Sequence, residues 1–93
     1  MEITIRNSFV KELKRLPPKT QAAVREVLYT LQGSESLEAS RLDYKPMEGQ
    51  RKGENYYRIQ VGQWRIGIEY IKPQVIVITV LSRGNIYKHF PPR

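Results

Sequence analysis

Residues 57–66 read YRIQVGQWRI and carry the clearest structural signal in the chain. Apolar and polar side chains alternate on both sides of Gly62-Gln63, and this period of two is typical of half-buried strands. A two-residue connection with glycine first favours a type II′ turn, whose twist matches that of the strands it joins. This stretch therefore predicts a β-hairpin.

The register of the hairpin follows from the turn. If the two residues that flank the turn face each other, Gln60 lies opposite Arg65 and Arg58 lies opposite Gly67. Opposed residues point to the same side of a sheet, and diagonal neighbours are about 7–8 Å apart. We therefore expect the two arginines to be neighbours, with open space beside them because Gly67 has no side chain. The other side of the hairpin is apolar and carries Ile59, Val61, Trp64 and Ile66.

The segments around the hairpin predict the rest of the fold. Residues 2–6 alternate like a short strand, and Asn7 or Ser8 can cap the helix that follows. Pro17-Pro18 ends this helix, because proline disfavours helical geometry in the residue before it. Helical spacing of apolar residues predicts a second helix over 19–32. Gly33 is expected to end this helix in the left-handed backbone conformation.

The second half of the chain completes the sheet. The polar segment 34–55 predicts a loop without regular structure. The apolar run from Val75 to Leu81 predicts an interior strand, and a polar turn and a short extended piece, Ile86-Tyr87, follow it. We expect one α+β domain over residues 1–93: an N-terminal strand, an αα-hairpin and an antiparallel three-stranded meander, with the helices on one face of the sheet.

The composition excludes several classes of function. The chain has no cysteine and a single histidine, His89, so we expect no disulfide, no metal site and no cofactor. Its apolar runs are strand-sized, which predicts a cytoplasmic protein without a membrane partner. Residues 51–93 hold eight of the sixteen basic side chains but only two of the nine acidic ones. This excess of positive charge favours a polyanionic partner.

The hairpin arginines lead to a candidate site. Two neighbouring cations repel each other unless an anion lies between them, and Arg83 and Tyr87 follow the last strand closely enough to join them. Arginine binds phosphate oxygens bidentately, and tyrosine offers a face to an unstacked base. This set suits a phosphodiester. Arginines on exposed strand positions also serve solubility or protect a sheet edge, and the pattern alone leaves that alternative open.

The residues resemble the RelE/ParE superfamily of bacterial and archaeal toxins over nearly the whole chain. The hairpin is the most specific part, since it is very similar to the family pattern YRIRVGDYRV. The first helix, with Phe9, Leu13 and Leu16 before Pro17, resembles the family's first helix. Arg41-Leu42 through Gly49 resembles its loop, and Val77 to Tyr87 resembles its closing strand followed by R-x-x-x-Y.

The resemblance implies a ribosome-dependent mRNA endonuclease of the RelE branch. In that chemistry the 2′-hydroxyl attacks the adjacent phosphate without a metal ion. The implied catalytic residues are Arg58, Arg65, Arg83 and Tyr87. We expect further RNA contacts from Lys45, Arg51, Lys52, Gln60, Lys88 and His89.

The implied partners are mRNA in the ribosomal A site, rRNA and a cognate antitoxin encoded beside the toxin. Toxin and antitoxin are expected to form a complex, a heterotetramer on operator DNA being one form. Because the second half of the chain is basic, we expect the antitoxin to cover it with an acidic or amphipathic segment.

One position departs from the family pattern. Gln60 stands where several members carry a second lysine or arginine, and an amide cannot take up a proton. The proton-transferring groups therefore stay open among Tyr87, His89, and the lysines and glutamates (Glu48 and Glu54) of the loop. The alternative function is that of ParE-like toxins, which bind DNA gyrase without RNase activity and generally lack this set of arginines and tyrosine.

Overall fold

A computed structural model describes residues 1–92 of the chain. It contains five strands and three helices: β1 (Glu2–Ile5), α1 (Asn7–Leu13), α2 (Pro18–Gly33), β2 (Tyr44–Pro46), β3 (Tyr56–Val61), β4 (Trp64–Ile71), β5 (Gln74–Ser82) and α3 (Ile86–His89). The strands form one sheet in the order β1-β5-β4-β3-β2. No helix within residues 1–92 is long and apolar enough to cross a lipid bilayer.

The sheet combines a meander with two edge strands. Strands β3, β4 and β5 pair antiparallel in sequence order, as the apolar alternation predicts. Strand β1 joins the far side of β5 in parallel, so that β5 is an interior strand. Strand β2 pairs antiparallel with β3 at the other edge. The α+β fold with a three-stranded meander is confirmed.

The main core lies between the sheet and the two long helices. Phe9 from α1, Leu16 from the turn after α1, and Val24 and Leu31 from α2 pack against buried strand residues, among them Ile59, Ile66, Ile68, Val75, Val77 and Val80. Each helix thus buries an apolar stripe against one face of the sheet, which is the arrangement expected for a two-layer α+β protein.

The hairpin register is confirmed at every predicted pair. Gln60 lies opposite Arg65, Arg58 opposite Gly67, and Ile59 opposite Ile66. Gly62 has a φ of +58°, as the first central residue of a type II′ turn requires. The glycine-first turn and the alternation of apolar and polar side chains therefore specify the same β3–β4 pairing.

Several local expectations are wrong. Neither Asn7 nor Ser8 caps α1, because the helix begins at Asn7 and the Ser8 hydroxyl donates to the carbonyl of Ile78, 2.6 Å away. Gly33 is the last residue of α2 and has no left-handed φ. The loop 34–55 contains β2, and Ile86-Tyr87 begins a helix instead of an extended piece.

The turn glycine offers a test of the hairpin. Gly62→Ala is expected to lower the free energy of unfolding by about 1–2 kcal/mol, because a side chain at left-handed φ is strained. Gly84→Ala is the matched control, since its φ is not left-handed and an added Cβ meets nothing within 4 Å. Urea denaturation followed by Trp64 fluorescence measures both, and equal losses would contradict the turn conformation.

Candidate nucleic-acid interface

The side of the sheet that faces away from α1 and α2 carries the candidate site. Ile59 and Ile66 are fully buried in the main core, so their strand neighbours point to the opposite side. We call this side the basic face and define it by Lys45, Arg58, Gln60, Arg65 and Tyr87. The sequence-predicted grouping of Arg58, Gln60 and Arg65 on one side of the hairpin is thus what the structure shows.

Arg58 lies at the centre of the basic face. Its side chain is half-buried, and its Nη1 is buried and has no hydrogen-bond partner among residues 1–92. Its Cζ lies 5.8 Å from the centroid of the Tyr87 ring, within the range of a cation–π contact. The Tyr87 side chain is itself 57% exposed. The pair therefore combines a guanidinium that has one buried, unsatisfied donor with an exposed aromatic ring.

Arg65 lies deeper than its neighbour. The side chain is only 7% exposed, and its Nη1 donates to the carbonyl oxygens of Gly62 and Trp64, both 2.9 Å away. Its Nε is buried and has no hydrogen-bond partner in the described part of the chain. The guanidinium thus folds back onto the hairpin turn and holds it closed. The diagonal placement beside Arg58 is as predicted, but the Arg65 Nη1 is occupied by the protein itself.

The open space expected beside Gly67 is filled. A second core on this side of the sheet consists of Met47, Ile78, Ile86 and Phe90. A Cβ added to Gly67 would lie 2.8 Å from Cγ2 of Thr79 and 3.0 Å from the Phe90 ring. Gly67 is needed because the aromatic ring rests on its backbone, so the prediction of a void was wrong.

Helix α3 positions the tyrosine. Ile86 and Phe90, four residues apart, are both buried in the second core, and the Phe90 ring contacts the Tyr56 ring edge-on at 5.4 Å. The helical turn between these two anchors directs Tyr87 away from the core and over Arg58. Sequence reasoning missed Phe90, although the i, i+4 apolar pair was a signal of a buried helical turn.

Lys45 joins the site through β2. The register places Lys45 opposite Arg58, with Tyr44 opposite Ile59. Tyr44 packs against the main core, so Lys45 points to the basic face and is exposed. The sequence predicts an RNA contact by Lys45 from a loop without regular structure, whereas the structure places Lys45 in a strand.

The remaining predicted residues lie around this centre. Arg83 is exposed, and its backbone N–H donates to the carbonyl of Gln63, 2.9 Å away, which brings its turn beside the hairpin turn. Gln60, Lys88 and His89 are exposed. Arg51 and Lys52 are exposed in the turn before β3, where the Arg51 N–H donates to Oε1 of Glu54, 2.6 Å away.

Glu12 is a further residue that the sequence did not single out. Its Oε1 accepts from the Thr79 hydroxyl at 2.5 Å and from the Val80 N–H at 3.3 Å. In the described residues, strand β1 pairs with residues 74–77 of β5. The Val80 N–H lies beyond this pairing, and the Glu12 carboxylate accepts its hydrogen bond instead. It thereby supports the strand that leads into the turn of Arg83.

Fold and site together define a class of protein: a small α+β chain with two helices on one sheet face and cations with an exposed tyrosine on the other. The family model of the ParE toxin of type II toxin–antitoxin systems (parDE) matches residues 3–87. The chain therefore belongs to the ParE/RelE family of type II toxins, as the sequence resemblance indicates.

Named relatives agree with this membership. The chain is 38% identical to toxin RelE3 of Methanocaldococcus jannaschii over 91 residues, covering 98% of this chain and 100% of the relative. Its fold is similar to that of the RelB–RelE antitoxin–toxin complex from Methanococcus jannaschii, with a TM-score of 0.76, 38% identity, and coverage of 95% and 99%. The archaeal RelE–RelB complex from Pyrococcus horikoshii OT3 shares the fold at 21% identity, with a TM-score of 0.68 and coverage of 89% and 94%.

Proposed function

We propose that this chain is an endoribonuclease that cleaves mRNA in the A site of the ribosome. The observation that carries the proposal is the half-buried Arg58, whose Nη1 has no hydrogen-bond partner within residues 1–92 and whose Cζ lies 5.8 Å from the centroid of the exposed Tyr87 ring. A phosphodiester would satisfy the guanidinium donor, and the neighbouring base would stack on the ring. Likeness to a toxin named RelE3 supports the same activity.

The proposed chemistry uses a nucleophile that the RNA supplies. The 2′-hydroxyl attacks the adjacent phosphorus, O5′ leaves, and a 2′,3′-cyclic phosphate and a 5′-hydroxyl remain. The protein must align these groups and stabilise the charge that grows on the phosphoryl oxygens. Arg58 and Arg83 would bind those oxygens, and Tyr87 would orient the base.

Arg65 would serve the same site in a second way. Its Nη1 holds the hairpin turn on which the neighbouring cations depend, and its Nε keeps one donor without a protein partner. We propose that this donor contributes to the transition state when RNA is bound. The exposed Arg51, Lys52, Gln60, Lys88 and His89 would contact rRNA and the flanking mRNA.

The proposed partners follow from the same charges. The solved relatives are complexes with a RelB antitoxin, and we propose a cognate antitoxin that covers the basic face of this chain with an acidic or amphipathic segment. A toxin–antitoxin heterotetramer on operator DNA is one form that this complex would take. The site of action would be the cytoplasm, where ribosomes translate.

Programmed ribosomes test the proposal directly. Purified toxin is expected to cut mRNA inside the A-site codon, to leave 2′,3′-cyclic phosphate ends, and to cut the same mRNA far less without ribosomes. Primer extension and end-group analysis measure the products.

The family model that matches this chain is described as the ParE toxin, and ParE-like toxins bind DNA gyrase. Gyrase inhibition is therefore the second candidate function. Intact mRNA on programmed ribosomes, together with loss of DNA supercoiling by purified gyrase, would overturn the RNase proposal and support that function.

A further inference from the structure

Strand β2 places a primary amine next to the central guanidinium of the site. Lys45 and Arg58 are direct partners in an antiparallel pair, and such partners have Cβ atoms about 4.5–5.5 Å apart. The register is held on both sides: the Met47 N–H donates to the Tyr56 carbonyl at 3.0 Å, and the Gln60 N–H donates to the Asp43 carbonyl at 2.8 Å. The position of Lys45 is therefore set by the sheet.

This pairing is unfavourable for the free protein. Like charges directly opposite each other destabilise a sheet, and within residues 1–92 no carboxylate pairs with either side chain. A lysine that only protects a sheet edge does not need an arginine as its direct partner. The arrangement becomes favourable when an anion lies between the two cations, which indicates that both face the same phosphate.

The two cations differ in what they can do to that phosphate. A guanidinium stays protonated in proteins, and the Gln60 amide opposite Arg65 has no proton to transfer. A lysine ammonium can release a proton and recover it. Resting on the proposed RNase function, we propose that Lys45 is the general acid of the reaction and protonates the leaving O5′.

The step balances without a further reactant. The O2′–P bond forms and the P–O5′ bond breaks; the proton of the 2′-hydroxyl passes to water, and the Lys45 ammonium gives one proton to O5′. The resulting amine then recovers a proton from water. One proton is thus transferred from O2′ to O5′ overall, and the ammonium supplies it at the moment when the alkoxide leaves.

A substrate with a sulfur leaving group tests this role. Lys45→Met is expected to slow single-turnover cleavage of ordinary mRNA on programmed ribosomes by about 100–10,000-fold, the usual contribution of a general acid. When the scissile O5′ is replaced by sulfur, the thiolate leaves without protonation. The variant should then cut within about threefold of wild type, because only the acid has become unnecessary.

Two further variants sharpen the result. Lys45→Arg keeps the charge but cannot deliver the proton, so it should remain as slow as Lys45→Met on the oxygen substrate. Lys72→Met, in the exposed turn between β4 and β5, is the matched control and should cut both substrates like wild type. Thermal melting of each variant checks that it is folded.

The outcomes separate the two proposals. Equal losses on the oxygen and sulfur substrates, or full activity of Lys45→Arg, would assign Lys45 to charge or binding and overturn its role as acid while the RNase function stands. Wild-type protein that cuts neither substrate would overturn the RNase function itself, and the role of Lys45 with it.

Discussion

Arg58→Ala is expected to reduce single-turnover cleavage of A-site mRNA by about 100–1,000-fold, the usual loss when one charge-stabilising donor is removed from a transition state. Arg58 is the half-buried cation of the basic face; its Nη1 has no partner among residues 1–92, and it is the direct neighbour of Tyr87. Its loss removes both the proposed phosphate donor and the cation next to the Tyr87 ring. Cleavage on programmed ribosomes measures the effect.

Two variants control this experiment. Arg25→Ala removes an exposed arginine from α2, on the helical side of the sheet, and should cut like wild type. Arg58→Lys keeps the charge but loses the planar fork, so its rate should fall between those of wild type and Arg58→Ala. Cleavage by Arg58→Ala within about threefold of wild type, well below the usual loss of one such donor, would contradict a role for Arg58 at the phosphate.

Phe90→Ala is expected to lower the free energy of unfolding by about 3–5 kcal/mol, the usual cost of truncating a buried aromatic side chain. The Phe90 ring is 3% exposed, covers Gly67 and contacts the Tyr56 ring. It also anchors the end of α3, so the variant should lose cleavage activity through a displaced Tyr87. Urea denaturation measures the first effect, and cleavage under conditions where the variant is folded measures the second.

A double-mutant cycle checks the contact itself. Gly67→Ala alone should destabilise the fold by about 1–3 kcal/mol, the range for overpacking, because its Cβ meets the Phe90 ring and the Thr79 methyl. In the Phe90→Ala background this cost should fall, since one of the two clashes is gone. Strictly additive losses would show that the ring does not rest on Gly67.

The hairpin was predictable from the sequence because all of its determinants are local. Two alternating segments and a glycine-first turn specify which residues pair, and each predicted pair from Arg58 to Ile66 is found. The interior position of β5 was predictable for a similar reason, since a strand that is apolar on both sides must be covered on both sides. Pattern alone thus placed Arg58 and Arg65 on one side of the sheet.

The rest of the site depends on contacts between distant segments. Strand β2 is three residues long and contains Pro46, and it is a strand only because β3 supplies its hydrogen-bond partners. Helix α3 is a single turn whose local signal is one i, i+4 apolar pair, Ile86 and Phe90, and it forms where these two residues reach the second core. The pairing of Lys45 with Arg58 could therefore not be predicted from local sequence, whereas the place of Tyr87 after the last strand already indicated that it lies near the hairpin arginines.

The parallel pairing of β1 with β5 determines when the molecule can assemble during its own synthesis. Glu2 pairs with Gln74, so β1 cannot join the sheet until the ribosome has synthesised β5. The basic face needs still more, because Tyr87 is held by Phe90. A nascent chain therefore cannot form the complete basic face until residue 90 has left the exit tunnel. Before that point, the ribosome that synthesises the chain does not meet a complete basic face.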